Sequence, residues 1–255
     1  MVDSAMQAHI RFDNVTVAYG IKPALRQITL EIPPKQIFAI IGPANSGKTT
    51  LLKCINRTID FVPSAKVRGL VLVDGEDVAR IRNVHLLRRR VGMVFPLPVG
   101  LPLSVYENVA YAPRRAGIYD RHELTALVEK CLRQAMLWDE VKDRLDLLGT
   151  RLSGGQQQRL TLARALSHQP EILCLDEFSI AIDPVTTMKI EDILDELKQH
   201  MTIVLVTNLV QQARRLADRT AFLADSRLIE VDETEKLFAH PAHRLTERYV
   251  NGDFG

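Results

Sequence analysis

The sequence of 255 residues contains little cysteine, few aromatic residues and no excess of charge of either sign. Its three cysteines, Cys54, Cys131 and Cys174, are odd in number, far apart and without metal-like spacing. This pattern favours buried thiols in a reducing compartment over a disulfide framework, so we expect a cytoplasmic protein. The 33 basic and 31 acidic side chains give a formal charge of +2, which is too balanced to indicate by itself nucleic acid or an anionic membrane as a partner.

Long apolar runs are also missing. No window offers the roughly 18 apolar residues that a membrane-spanning helix needs. The first residues, "MVDSAMQAHIRF", lack the basic region and the apolar core of a secretory signal. The apolar share of 46% is that of an ordinary globular protein, and the length suits one large or two modest domains. We therefore expect this protein to act at a membrane only through a partner.

Hydrophobic periodicity predicts an α/β chain. Alternating runs predict two strands within residues 10–32, and a third strand is predicted in "GLVLVDGEDV". A proline-rich stretch, residues 96–117, predicts a loop that leads into a helical insertion. Continuous apolar runs with helices between them predict a parallel sheet that is covered on both faces. The buried strands are expected at 37–41, 171–175 and 202–206, and the helices at about 48–57, 121–136, 139–147 and 185–200.

The stretch "GPANSGKTT" has the spacing of a phosphate-binding loop between a buried strand and a helix. Glycine permits the left-handed turns that aim successive N–H groups at phosphate oxygens. Lys48 would reach the outer phosphates and Thr49 would bind Mg²⁺. An ordinary glycine-rich turn is the alternative interpretation. The candidate ligands are Gly42, Pro43, Ala44, Asn45, Ser46, Gly47, Lys48, Thr49 and Thr50.

Two further strand ends carry polar residues that would face the same ligand. In "ILCLDE", Asp176 is placed to hold Mg²⁺ through water and Glu177 to polarise an attacking water, although a helix-capping pair is the simpler alternative. In "TIVLVTNLVQQ", Thr207 and Asn208 follow an apolar strand. The carboxyl ends of strands in an open α/β sheet border the ligand crevice, so we expect both residues near the phosphates.

A second anion site is predicted in "LSGGQQQR", at the start of a helix. Ser153 and the amides of Gly154 and Gly155 would lie at the helix amino terminus, where N–H groups bind anions. Two phosphate sites in separate subdomains enclose one nucleotide only if another copy supplies the second half. The sequence therefore predicts a dimer that ATP closes.

These motifs, in this order, resemble the nucleotide-binding subunit of ATP-binding cassette transporters over nearly the whole chain. The stretches "LRRRVGMVF", "SVYENVAYAPR", "LWDEVKDRL" and "TERYVNGDFG" are similar to the ATPase subfamily of bacterial phosphate-specific importers. The resemblance implies an α/β phosphate-loop NTPase with a mixed sheet core, an antiparallel β region and an inserted α-helical subdomain. It implies a single domain over residues 1–255, with the core at about 8–95 and 166–232, the helical subdomain at about 96–165 and a helical tail at 233–255.

The resemblance also assigns roles and partners. Tyr19 would stack on adenine, the residues Ser153, Gly154, Gly155 and Gln156 would contact the γ-phosphate across the dimer, and Asp183 would lie in the dimer-contact loop. Catalysis would fall to Glu177 and Asn208, with ATP and Mg²⁺ bound. The expected partners are a second copy, transmembrane permease subunits and, indirectly, a periplasmic or extracellular solute-binding protein, with no nucleic acid. The expected location is the cytoplasmic face of the bacterial inner membrane.

The chain departs from the family pattern at residues tied to hydrolysis and coupling. Pro96 stands where a glutamine is usual, in a loop that docks on the membrane subunit, and "LPVGLP" lacks the usual aromatic residue. Asn208 stands where the family has its switch histidine, and it donates through an amide but carries no charge. Further departures are Phe178 for proline, Ile180 for serine and Leu209 for asparagine.

Three interpretations remain open from the sequence. The chain is an importer ATPase with altered geometry, a nucleotide-gated subunit that binds ATP but hydrolyses it slowly, or a soluble cassette protein that acts on DNA or ribosomes.

Overall fold

A computed structural model describes residues 8–97 and 99–253, which form ten β-strands and ten α-helices. The strands are β1 Ile10–Tyr19, β2 Lys22–Ile32, β3 Ile37–Ile41, β4 Ala65–Val73, β5 Glu76–Asp77, β6 Val91–Val94, β7 Ile172–Asp176, β8 Thr202–Val206, β9 Arg219–Ala224 and β10 Arg227–Glu233. The α-helices are α1 Lys48–Ile55, α2 Val84–Arg90, α3 Val105–Arg115, α4 Arg121–Gln134, α5 Trp138–Val141, α6 Gly154–Leu166, α7 Pro184–Leu197, α8 Val210–Leu216, α9 Thr234–Ala239 and α10 Arg244–Val250. Short 3-10 helices lie at Thr58–Phe61, Val78–Arg80, Lys142–Arg144 and Gly149–Arg151.

An antiparallel sheet is built from the amino-terminal strands in the order β2-β1-β4-β5. The two strands predicted within residues 10–32 are confirmed as β1 and β2, which pair in antiparallel orientation. In β1 the buried positions change from even to odd numbers, from Phe12 to Val15, because the register shifts at Asn14. Asn14 has a φ of 51°, as expected where an extra residue is inserted into one strand.

The second sheet has the order β10-β9-β3-β8-β7-β6. Neighbouring strands of this sheet are parallel from β9 through β3, β8 and β7 to β6. Among the described strands of this sheet, only β9 and β10 at one edge pair in antiparallel orientation. Every residue of β3, β7 and β8 is buried, which confirms the continuous apolar runs as strands covered on both faces. These strands end at Ile41, Asp176 and Val206, so the residues that follow them meet at one edge of the sheet.

The helical region corrects two predictions. The proline-rich stretch, predicted as a loop, contains α3, because Ser104 caps its first turn by accepting a hydrogen bond from the Glu107 amide and because Val105 and Val109 are fully buried. Apolar burial thus outweighs Pro113, which lies in the last turns of the helix. The helix predicted at 139–147 is reduced to α5 and the 3-10 helix that follows it.

The carboxyl-terminal segment packs on the parallel sheet. The ring of Tyr249 in α10 stacks on Phe222 of β9 with centroids 4.9 Å apart. The predicted helical tail consists of two short helices, α9 and α10, while its residues 254–255 lie outside the described range, as do Pro98 of "LPVGLP" and residues 1–7. Within the described part of the chain, every helix is too short or too polar to span a bilayer.

Candidate active site

The phosphate-binding loop connects β3 to α1. Gly47 precedes the helix with a φ of 107°, and a Cβ there would lie 2.3 Å from the carbonyl oxygen of Ala24, so only glycine fits. No side chain caps the amino terminus of α1, and its amide groups are therefore open to an anion. This local geometry leaves room for an anion at the start of α1, where the sequence predicts the phosphates of a nucleotide.

Lys48 bends back over this loop. Its Nζ donates to the carbonyl oxygens of Gly42 and Pro43 at 2.8 and 2.9 Å. Burial lowers the pKa of Lys48, and the carboxylates of Glu177 and Asp176 partly offset that effect. The ammonium is thus held over the loop, where the outer phosphates of a bound nucleotide would lie.

Asp176 ends β7 and is almost fully buried. Neither of its carboxylate oxygens has a hydrogen-bond partner among the described residues, and the buried hydroxyl of Ser46 also has none. Burial raises the pKa of Asp176, and the nearby hydroxyl of Thr49 lowers this pKa by a smaller amount. Unpartnered buried oxygens are costly unless something binds them. Hard oxygen ligands suit Mg²⁺, so the side chains of Ser46, Thr49 and Asp176 fit this ion.

Glu177 follows Asp176 in a strained backbone conformation, with a φ of 46°. Its amide donates to the carbonyl oxygen of Val206 at 2.8 Å, which ties the loop after β7 to the end of β8. Across this junction, Nδ2 of Asn208 donates a short hydrogen bond to Oε1 of Glu177. The structure therefore brings together the two residues that were predicted as catalytic.

One cleft of about 440 Å³ joins these elements, a size typical of small-ligand sites. Tyr19 lines it, and its hydroxyl lies 3.1 Å from Oγ1 of Thr50, so its ring stands beside the loop. Its stacking on adenine stays a prediction. The cleft is lined by Tyr19, Lys22, Pro23, Ala24, Ala44, Asn45, Ser46, Gly47, Lys48, Thr49, Thr50, Glu177 and Asn208.

The second predicted anion site lies at the start of α6, and its residues do not line that cleft within the described chain. Ser153 and Gln156 form a reciprocal capping pair, and Nε2 of Gln156 donates to Glu140 at 2.7 Å. A Cβ on Gly154 would meet no atom within 4 Å, whereas one on Gly155 would lie 2.8 Å from the carbonyl oxygen of Ala181. The amino terminus of α6 is thus open at Gly154, whereas at Gly155 it packs against the loop between β7 and α7, which contains Ala181.

Asp183 follows that loop and caps α7. Its carboxylate accepts a hydrogen bond from the amide of Thr186 at 2.9 Å, and this hydrogen bond is the main reason that the pKa of Asp183 is lowered. The side chain is fully exposed. Its predicted contact with another copy is therefore sterically open.

The departures from the family pattern have different surroundings. Phe178 is buried in the apolar core, which accounts for a large side chain there. Ile180 and Leu209 are exposed and line one small depression with Glu177 and Asn208. Pro96 does not line the phosphate-loop cleft within the described residues. Of these positions within the described residues, Asn208 is the one whose side chain forms a hydrogen bond with the side chain of Glu177.

Sequence reasoning missed Gln212 in α8. It is buried and forms hydrogen bonds to Thr207, Ser179 and Glu191, which belong to three different elements. The only signal in the sequence was a polar residue on the apolar side of a short helix.

Known proteins match this chain over most of its length. The model of the ABC transporter family matches residues 25–179. The phosphate import ATP-binding protein PstB 3 of Streptococcus pneumoniae serotype 4 is 48% identical over 238 residues, which cover 93% of this chain and 95% of that protein.

Solved structures share the fold. An ATP-binding cassette solved as a dimer in a post-hydrolysis state with ADP and Pi aligns with a TM-score of 0.78 and 29% identity, over 88% of this chain and 98% of that one. A bacterial Atm1-family ABC exporter with ATP bound aligns with a TM-score of 0.83 and 24% identity, over 98% of this chain. This chain spans 43% of the exporter chain, and at that identity the likeness concerns the fold alone.

Proposed function

Because this chain belongs to the ABC transporter family, we propose that it is the ATP-hydrolysing subunit of an importer of inorganic phosphate. The observation that carries the ATPase assignment is the convergence of Lys48, Glu177 and Asn208 on one cleft with the phosphate-binding loop. The assignment of phosphate as the solute rests on the similarity to the Streptococcus pneumoniae protein.

Residues in and beside the cleft have separate roles in binding and hydrolysis of ATP. The loop amides and Lys48 bind the triphosphate, and Thr49 and Asp176 would hold Mg²⁺, which when bound neutralises negative charge on the phosphates. Glu177 accepts a proton from the attacking water. Asn208 holds Oε1 of Glu177 in place, as its hydrogen bond indicates. This bond favours an active hydrolase over a subunit that only binds ATP.

ATP would be enclosed between two copies of the chain. The phosphate-binding loop and the open amino terminus of α6 lie in separate parts of one chain, so the second copy would supply Ser153, Gly154 and Gly155 to the γ-phosphate. The opening at Gly154 supports this arrangement, because a phosphate could approach the backbone there. Contact of Gln156 with the phosphate would require it to leave Glu140.

A groove of about 560 Å³ between the core and the helical region is our candidate for the permease contact. Met93, three residues before Pro96 of the predicted docking loop, lines this groove. The groove is strongly basic, since it is lined by Arg88, Arg89, Arg115 and Arg164. Burial lowers the pKa of His168 in the groove, and Arg89 and Arg164 lower it further. We infer that an acidic segment of the permease binds there, on the cytoplasmic face of the membrane.

The test of this function is phosphate uptake by membrane vesicles that contain the permease subunits of the importer. We expect ATP hydrolysis by this chain and ATP-dependent uptake of radiolabelled phosphate, both of which fail when the chain is omitted. Hydrolysis without phosphate uptake would contradict the assigned solute. Absence of hydrolysis would contradict the ATPase assignment.

Charge reversal in the groove is expected to uncouple the two subunits. The double variant Arg89→Glu and Arg115→Glu changes two exposed side chains and should weaken permease binding by about tenfold or more, because like charges at an interface are repulsive. ATP hydrolysis by the isolated chain should not change. Co-purification with the permease measures the effect, and Arg82→Glu, exposed and outside the groove lining, is the matched control. Equal permease binding by both variants would contradict this docking site.

Restoring the usual family residues is expected to increase turnover. The double variant Asn208→His and Pro96→Gln adds a longer donor near the γ-phosphate and a side-chain amide in the docking loop. We expect kcat to rise by about tenfold or more, since one lost contact to a developing charge typically costs about 10²–10³ in rate. The steady-state ATPase rate of the isolated chain is the measurement, with Asn208→Ala as the variant that should lower it. No gain would indicate that the site has compensated for both residues.

A further inference from the structure

A buried polar network contacts the loops that carry Glu177 and Asn208. The chemistry proposed above does not use it. Its centre is Gln212, whose side chain is almost completely buried in α8. Oε1 of Gln212 accepts a hydrogen bond from Oγ1 of Thr207 at 2.8 Å. Nε2 donates to Oγ of Ser179 at 3.2 Å and to Oε1 of Glu191 at 3.0 Å. Both ends of the amide are thus engaged.

Two of the three partners of Gln212, Thr207 and Ser179, belong to the loops that carry the catalytic residues. Thr207 immediately precedes Asn208, and its hydroxyl also accepts a hydrogen bond from the Leu209 amide at 3.0 Å. Ser179 is two residues after Glu177 and begins the segment that leads to Asp183, where its carbonyl oxygen accepts from the Ile182 amide at 3.0 Å. One amide side chain therefore spans the distance between these loops.

The far side of the network is anchored to α7. Glu191 is buried and accepts two hydrogen bonds from Nη2 of Arg215, each at 3.0 Å, in addition to the one from Gln212. Arg215 and Gln212 lie in the same short helix, so α8 is fixed to α7 through a single carboxylate. A buried network in which each group is satisfied holds its members in one arrangement.

We propose that Gln212 is a positioning residue for ATP hydrolysis, which fixes the separation of the Ser179 and Thr207 loops and so keeps Asn208 within hydrogen-bond distance of Glu177. This role rests on the proposed ATPase function. Gln212 does not line the nucleotide cleft among the described residues, so it acts through the catalytic pair and does not touch the nucleotide. Because Ser179 begins the segment leading to Asp183, the network also links the predicted dimer-contact loop to the catalytic pair.

The test is Gln212→Met, which keeps the length of the side chain and removes its hydrogen bonds. We expect kcat to fall by about 10- to 100-fold, as for a displacement of about 1 Å in a catalytic group. The KM for ATP should stay within about twofold, because the phosphate-binding loop is unchanged. Gln211→Met is the matched control, since Gln211 is the exposed neighbour in the same helix.

Two further variants separate positioning from a general loss of stability. In the Asn208→Ala background, Gln212→Met should lower kcat by less than about twofold, because the contact that Gln212 positions is already absent. The variant Gln212→Glu brings a second carboxylate against Glu191, which among the described residues is paired with one cation, Arg215. Its turnover relative to the unmodified protein should therefore be higher at pH 6 than at pH 8, where a shared proton is lost.

The outcomes are distinguishable. Unchanged kcat in Gln212→Met, or an equal loss in the presence and absence of Asn208, would overturn the positioning role while the ATPase function stands. A lack of turnover in the unmodified protein would overturn the ATPase function itself and the positioning role with it.

Discussion

Replacement of Glu177 by glutamine is expected to lower ATP turnover by about 10²- to 10⁴-fold, the range for removal of a general base. The change removes a proton acceptor and little else. A glutamine oxygen still accepts the hydrogen bond that Asn208 donates to Oε1, so the geometry of the pair is kept. Single-turnover and steady-state ATPase rates measure the loss. Glu196→Gln, an exposed carboxylate in α7, is the matched control and should leave the rate unchanged.

The same variant is expected to accumulate as a dimer. With hydrolysis blocked, ATP stays bound between the phosphate-binding loop of one copy and the Ser153 to Gly155 segment of the other. Size-exclusion chromatography with light scattering should give twice the mass of the chain at saturating Mg-ATP and the mass of one chain with ADP. A single-chain mass at saturating ATP would reject the enclosed nucleotide.

Replacement of Lys48 by alanine is expected to weaken ATP binding by about 10- to 100-fold, since a hydrogen bond to a charged group contributes about 1.5–3 kcal/mol. Lys48 is held over the loop by the carbonyl oxygens of Gly42 and Pro43. The variant therefore loses the cation that would neutralise the outer phosphates. Isothermal titration with ATP in Mg²⁺ buffer is the measurement.

The loss must be separated from damage to the loop, because Lys48 also holds two carbonyl groups. Lys189→Ala, at an exposed position of α7, controls for a general loss of positive charge. AMP binding provides the second control, since AMP lacks the outer phosphates and its affinity should change little. ATP affinity that is equal in the unmodified protein and in Lys48→Ala would contradict the phosphate-loop assignment.

Local sequence patterns were enough to predict most of the sheet and the loop. The strands at 37–41 and 202–206 were predicted because all of their residues except Thr202 are apolar, as is typical of strands buried on both faces. The helix α3 was not predicted, because the prolines that precede Ser104 and Pro113 after it indicated a loop. Its stability comes from burial of Val105 and Val109 against other helices, which no local window contains.

The sequence likewise predicted the residues of the candidate site but not the contacts between them. Asp176 and Glu177 were identified because they come after four apolar residues of a strand. Asp176 comes first and is therefore the residue that ends the strand. The sequence could not indicate that both oxygens of Asp176 lie without a hydrogen-bond partner in the described structure. It also could not place Asn208 against Glu177, since 31 residues separate them.

By itself, the sequence determined the chemical groups and the local turns that present them: a glycine-rich loop before a helix, a carboxylate pair after a strand and a serine-glycine helix start. These depend on the backbone freedom of glycine and on the period of apolar residues, both of which are local properties. The tertiary structure decided which groups meet. The Asn208 and Glu177 pair and the network of Gln212 depend on the parallel order of β7, β8 and β3, because that order brings loops distant in sequence to one edge of the sheet. The basic groove depends on the packing that brings α2, β6, α3 and α6 together.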